Sequence, residues 1–127
     1  MLTMGTMASD AKLAVDKLRK EGLKVGSARV RVYRPYPAEE IISLARNVQM
    51  ISTIDRHISF GMEGFLASET KAALYDQKDK PLVAGFIAGL GGRDVTADTI
   101  AQMAQKSLKG MRTGKIEKKT EWVDLKE

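Results

Sequence analysis

The segment Gly89-Leu90-Gly91-Gly92-Arg93-Asp94 puts three glycines and an Arg–Asp couple just after an apolar run. Gly-rich turns that lead into a helix leave backbone N–H groups free, and such a nest suits an anion. The spacing is not Gly-x-Gly-x-x-Gly, because the third glycine would fall at Asp94. No Lys-Ser or Lys-Thr pair completes a P-loop either. A tight strand-to-helix turn, in which Arg93 and Asp94 brace neighbouring loops, is the simpler reading.

A second cluster runs Asp55-Arg56-His57-Ile58-Ser59-Phe60-Gly61-Met62-Glu63-Gly64. Ser59 lacks the two flanking glycines of a nucleophile elbow. The chain has one His and no Cys, so a Ser–His–acid triad would need His57. Nothing in the spacing places a serine beside it, and triad geometry is demanding. A salt bridge that pins the loop is preferred for Asp55-Arg56. Arg29, Arg31 and Arg34 form a basic row interleaved with Tyr33 and Tyr36, a mixture enriched at interfaces.

Bulk composition removes several function classes. Without Cys there are no disulfides, thiolate metal sites or thiol catalysis, which fits a reducing cytoplasm. One His and scattered carboxylates give no transition-metal constellation. No apolar run nears the ~20 residues that span a bilayer. The formal charge is +5. Residues 106–127 hold seven Lys and Arg against four acids, and the preceding residues fourteen against twelve. The tail's charges alternate in sign and lack a basic, aromatic-interleaved face, which argues against nucleic acid.

The elements that must position these loops alternate between strand and helix. Leu2 to Met4 reads as a strand so near residue 1 that the chain looks cut just before a core strand. Ala11, Ala14, Val15 and Leu18 give a helix over about 7–21, capped by Thr6 or Ser9 and ended by Gly22. A strand is expected over 24–33, with Ala28, Val30 and Val32 on one face. Pro37 opens a helix that ends near Asn47. Strands follow at 49–54 and 82–88, the latter apolar throughout and so central. Helices are expected over 65–75 and 97–109, the last capped by Thr96 and ended by Gly110. Residues 111–127 read as a charged tail or an edge strand around Trp122. Strands joined by helices imply parallel pairing and right-handed crossovers. The loops at 55–64 and 89–94 then share one edge of the sheet, where ligands and partners usually bind.

Three blocks in this order resemble one family. They are Val25-Gly26-Ser27-Ala28-Arg29-Val30-Arg31-Val32-Tyr33-Arg34-Pro35-Tyr36-Pro37, then Ile54-Asp55-Arg56-His57-Ile58-Ser59-Phe60-Gly61, then Gly85-Phe86-Ile87-Ala88-Gly89-Leu90-Gly91-Gly92-Arg93-Asp94-Val95-Thr96. Met4-Gly5-Thr6-Met7-Ala8 fits as well. Over about residues 2–108 the chain is similar to the second core domain of pyruvate (2-oxoacid):ferredoxin oxidoreductases, in the alpha chain.

The resemblance implies a transketolase C-terminal-like domain over 1–110: three layers, α/β/α, with a mostly parallel, mixed sheet of about five strands. It implies a whole enzyme that converts pyruvate, coenzyme A and oxidised ferredoxin to acetyl-CoA, carbon dioxide and reduced ferredoxin. That enzyme would use thiamine diphosphate, magnesium and iron–sulfur clusters, with none bound by this domain alone. Its partners would be the thiamine-binding domains and the gamma and ferredoxin-like subunits, with no nucleic acid and no membrane. His57 stands where relatives are expected to carry Asn or Ser, so no essential role falls to it. In this reading no residue here is catalytic. Asp55, Arg56, Ser59, Gly61, Gly64, Gly91, Gly92, Arg93 and Asp94 become interface or ligand-loop candidates. An independent small-ligand or anion-binding module is the alternative, and a self-sufficient hydrolase ranks last.

Overall fold

The computed structural model describes residues 1–116 and 118–124. The elements in chain order are β1 (Leu2–Met4), α1 (Met7–Lys20), β2 (Ala28–Val30), α2 (Ala38–Ala45), β3 (Met50–Asp55), α3 (Phe65–Ala73), β4 (Leu82–Ile87), a 3-10 turn (Leu90–Gly92), α4 (Ala97–Thr113) and β5 (Thr120–Trp122). The sheet order is β2-β1-β3-β4-β5. Every pairing between these strands is parallel, β4 with β5 included, where the resemblance had allowed a mixed sheet. The strongest register runs Met50 opposite Leu82 through Asp55 opposite Ile87.

Alternate strand residues feed two apolar layers, as the pleat requires. On one face Ile54, Ala84, Phe86 and Ala88 pack against Ala11, Ala14 and Leu18 of α1 and Ile100, Met103 and Ala104 of α4. On the other, Leu2, Val30 and Ile51 pack against Ile41 and Ala45 of α2 and Leu66 and Leu74 from α3 and its C-cap. The result is the three-layer sandwich expected of βα repeats.

Two boundaries differ from the sequence expectation. The strand at 24–33 shrinks to Ala28–Val30, and Val32 is exposed. Beyond Val30 the chain leaves the sheet. Tyr36 hydrogen-bonds Thr70 of α3 at 2.8 Å, and Tyr33 meets Tyr36 edge-on at 5.8 Å between centroids. Arg34 pairs with Glu69 at 2.6 Å, so this arginine of the basic row is spent inside the chain. Gly110 does not end α4. The helix runs to Thr113 and closes at Gly114, whose φ of 66° is left-handed. Gly114 N–H donates to Met111 O and Lys115 N–H to Gly110 O, the double closure of a Schellman end. Thr96 caps the other end, its Oγ1 accepting from Thr99 N at 3.2 Å.

Candidate functional site

Because the strands are parallel, Asp55 and Ile87 both end at one edge, and Ala88 N–H donates to Asp55 O across the gap at 2.9 Å. The loops at 56–64 and 88–96 therefore start side by side.

Asp55 is buried, 1 % exposed. Its carboxylate accepts the N–H of Leu66 at 2.9 Å and of Ala67 at 3.3 Å. These are first-turn amides of α3, whose own cap residue, Gly64, has no side chain to offer. A strand residue thus caps a helix that begins ten residues later, with its negative charge at the positive end of the dipole. The arrangement requires glycine at 64, because a Cβ there would lie 2.1 Å from Asp55 Oδ2. Burial pushes the Asp55 carboxyl above its ordinary pKa, opposed by those two amides and by His57. His57 Nε2 stands 3.9 Å from Asp55 Oδ1, beyond hydrogen-bond range. The His57 ring instead leans on Phe65, with centroids 4.4 Å apart.

Residues 59–63 form a tight hairpin. Ser59 N–H donates to Glu63 O at 2.9 Å and Met62 N–H to Ser59 O at 2.8 Å. The central pair, Phe60 and Gly61, has φ of 42° and 77°. A primed hairpin turn demands positive φ at both central positions. Gly61 meets that freely, while Phe60 carries strain of about 1 kcal/mol or more. The hairpin base is fastened to α3: Glu63 pairs with Lys71 and accepts from Ser68 Oγ at 3.1 Å.

Across the gap, Gly91 and Gly92 both have positive φ, 65° and 78°. Arg56 is exposed and lies over Gly89, where an added Cβ would sit 2.9 Å from its Nε. Arg93 donates to the carbonyl of Asp124 just past β5. Asp94 is exposed. The salt bridge preferred for Asp55-Arg56 is absent: among the described residues no ion pair joins Asp55 to Arg56, or either of them to Arg93 or Asp94. Asp55 is engaged by helix amides and Arg93 by the C-terminal segment.

At this edge Asp55 and His57 are an acid and a base in proximity only, with no hydrogen bond between them. Among the described residues no three His, Cys, Asp or Glu side chains gather as metal ligands. Iron–sulfur ligation needs thiolates, and the chain has no Cys. These residues do not fit an iron–sulfur cluster. A cleft of about 610 Å³ opens at the opposite edge, lined by apolar side chains together with Lys24, Asn47, Gln49 and three serines, with no acid or His among the described residues. No helix described is long and apolar enough to cross a membrane.

Phe60, Met62 and Phe65, at positions that no sequence pattern singles out, are 105 %, 67 % and 40 % exposed. The Phe60-Gly61 step at a turn was the available signal, but exposure at a hairpin tip is not written in local periodicity.

Comparison with known proteins gives these features a context. The family profile for pyruvate:ferredoxin oxidoreductase core domain II matches residues 1–100. Ketoisovalerate oxidoreductase subunit VorA of Pyrococcus furiosus is 47 % identical over 123 residues, 97 % of this chain and 31 % of that protein. Pyruvate synthase subunit PorA of Pyrococcus abyssi is 42 % identical over 125 residues, 98 % of this chain and 32 % of that protein. The chain thus spans about a third of the length of these relatives. A solved structure described as a split-gene transketolase, inactive beta4 tetramer, superposes with a TM-score of 0.65 at 22 % identity, over 85 % of this chain and 37 % of that one. At that identity the likeness speaks for the fold alone.

Proposed function

The chain belongs to the pyruvate:ferredoxin oxidoreductase core domain II family, and from that premise we propose that it is a non-catalytic interface domain of a thiamine-diphosphate-dependent 2-oxoacid:ferredoxin oxidoreductase. The whole enzyme would join pyruvate, coenzyme A and oxidised ferredoxin to give acetyl-CoA, carbon dioxide and reduced ferredoxin. The thiamine-bearing domains and the gamma and ferredoxin-like subunits would be its partners, in the cytoplasm. The domain body, expected over 1–110, would extend through the end of α4 at Thr113, with the residues beyond it a tail whose strand extends the sheet. Asp55, Arg56, Ser59, Gly61, Gly64, Gly91, Gly92, Arg93 and Asp94 would build the edge that meets the thiamine-bearing domains.

One observation carries this reading. The edge is firmly built, with a capped helix, a fastened hairpin and left-handed glycines, yet Asp55, Glu63 and Arg93 are taken up in holding the loops, and Arg56 and Asp94 stand exposed without partners among the described residues. That is the construction of a contact surface. The relatives support a role common to several substrates, since ketoisovalerate and pyruvate enzymes resemble this segment about equally, at 47 % and 42 %. Substrate choice then belongs to other domains.

The test is native purification of the tagged chain from its own cells, with mass spectrometry and a ferredoxin-reduction assay. Co-purification with thiamine-diphosphate-binding and ferredoxin-like partners, and 2-oxoacid-dependent reduction, is expected. Elution of the chain alone, without that activity, would overturn the assignment.

A further inference from the structure

Exposed apolar residues elsewhere, such as Leu13, Val32 and Tyr75, are scattered, which is ordinary for a surface. Phe60, Met62 and Phe65 instead fall within six residues at the carboxyl edge of the sheet, the first two on the 59–63 hairpin and Phe65 opening α3. Phe60 is doubly unfavourable in the chain as described. Its ring is fully exposed, and its backbone holds a φ of 42° that bulky residues avoid. Asn or Asp would suit the turn better and be well hydrated. The loop is nonetheless held in shape: the Ser59–Glu63 pairing, the Glu63–Lys71 ion pair and the Ser68 hydroxyl fix its base on α3. A fastened tip that presents an exposed aromatic ring two residues from an exposed Met has the composition and pre-organisation of an interface anchor.

We infer that the 59–63 hairpin is a docking anchor: Phe60, together with the exposed Met62 and Phe65 of the same segment, seats in an apolar pocket rimmed by carboxylates on another domain of the oxidoreductase. This rests on the reading of the chain as one domain of a larger enzyme. The occupant follows from two observations. The relatives carry about two thirds of their length outside the segment this chain matches, so matching domains exist to cover the tip. Within the 56–63 loop itself the one acid, Glu63, is paired with Lys71, while Arg56 stands exposed without an ion pair among the described residues, so the loop's own unpaired charge is positive. Carboxylates on the partner's rim complement it.

The experiment uses the complete oxidoreductase that contains this chain. Hydroxyl-radical footprinting should find Phe60 and Met62 oxidised about tenfold more slowly than free Phe and Met, as for side chains desolvated in a pocket. Phe60→Asp and Phe60→Gly should restore Met62 oxidation and lower 2-oxoacid turnover, while Phe60→Trp keeps both near wild type. Phe60→Gly is the discriminating variant, since glycine relieves the backbone strain and the domain's own melting temperature should hold or rise. Free-residue oxidation rates at Phe60 and Met62 in an active enzyme would overturn this inference and leave the functional assignment standing. So would variants that match wild type in turnover and protection. Protection that this chain alone acquires with rising concentration assigns the tip to a second copy and also overturns it. Absence of the chain from any oxidoreductase sinks both readings.

Discussion

At the scale of single residues, Asp55 and Gly64 are one device. The carboxylate reaches the amides of Leu66 and Ala67 only because position 64 has no Cβ. Asp55→Ala strands two buried helix amides and should cost about 1–3 kcal/mol. Gly64→Ala forces the same carboxylate away and should cost a similar amount. The two losses should not add, because each removes the same hydrogen bonds. Thermal melts of both single variants and the double variant measure this, and full additivity would contradict it. The same carboxyl predicts a pH dependence. Its pKa is raised in the folded chain by burial, so the folded state binds the proton more tightly than the unfolded one. The stability this titration contributes is full below the ordinary carboxylate pKa of about 4 and is lost as pH rises through the raised folded value. Asp55→Asn should remove that component. An unchanged slope of melting temperature against pH in that range would refute the assignment.

At the scale of elements, the sequence was most legible where burial imposes a period. Strands β3 and β4 and helices α1 and α4 follow from apolar spacing, because each packs a face on the core. It was least legible where a distant partner overrides the local pattern. Val32 continues the alternation of β2, but Tyr33 and Tyr36 are drawn towards α2 and α3, and the strand stops at Val30. Gly110 reads as a helix end, yet α4 continues through it and receives Lys115 N–H on its carbonyl. The Asp55 cap was hidden for the same reason, its amide partners lying eleven and twelve residues along the chain. The glycine turn after β4 was legible from the need to pass from a buried strand into a capped helix. Nothing stands within 4 Å of a Cβ built at Gly92, so Gly92→Val tests backbone conformation without a clash. With φ at 78° the variant should lose more than about 1 kcal/mol. A melt within error of wild type would show that the turn tolerates the side chain.

At the scale of the whole molecule, the carboxyl edge joins two kinds of arginine that the sequence made look alike. Arg93 faces inward along the surface and holds the carbonyl of Asp124, so it ties the end of the β4–α4 loop to the segment after β5. Arg56 lies over Gly89 and has no hydrogen bond or ion pair among the described residues. The first therefore has a stabilising role besides its proposed place in the edge, and the second has none that the described residues show. Arg93→Ala should lower the stability of the domain by about 1 kcal/mol, the net worth of an ordinary hydrogen bond, and loosen β5 from β4. Arg56→Ala should change stability by no more than about 0.5 kcal/mol, as for a surface position without partners. In the complete oxidoreductase the order should reverse: Arg56→Ala should weaken the docking of this edge and raise its sensitivity to salt, because a charge at the rim acts mainly through electrostatic complementarity. Hydrogen exchange at residues 120–122 and salt titration of turnover read the two effects separately. If Arg56→Ala unfolds the domain, or leaves the salt dependence of turnover unchanged while Arg93→Ala alters it, the division of labour drawn from the structure is wrong.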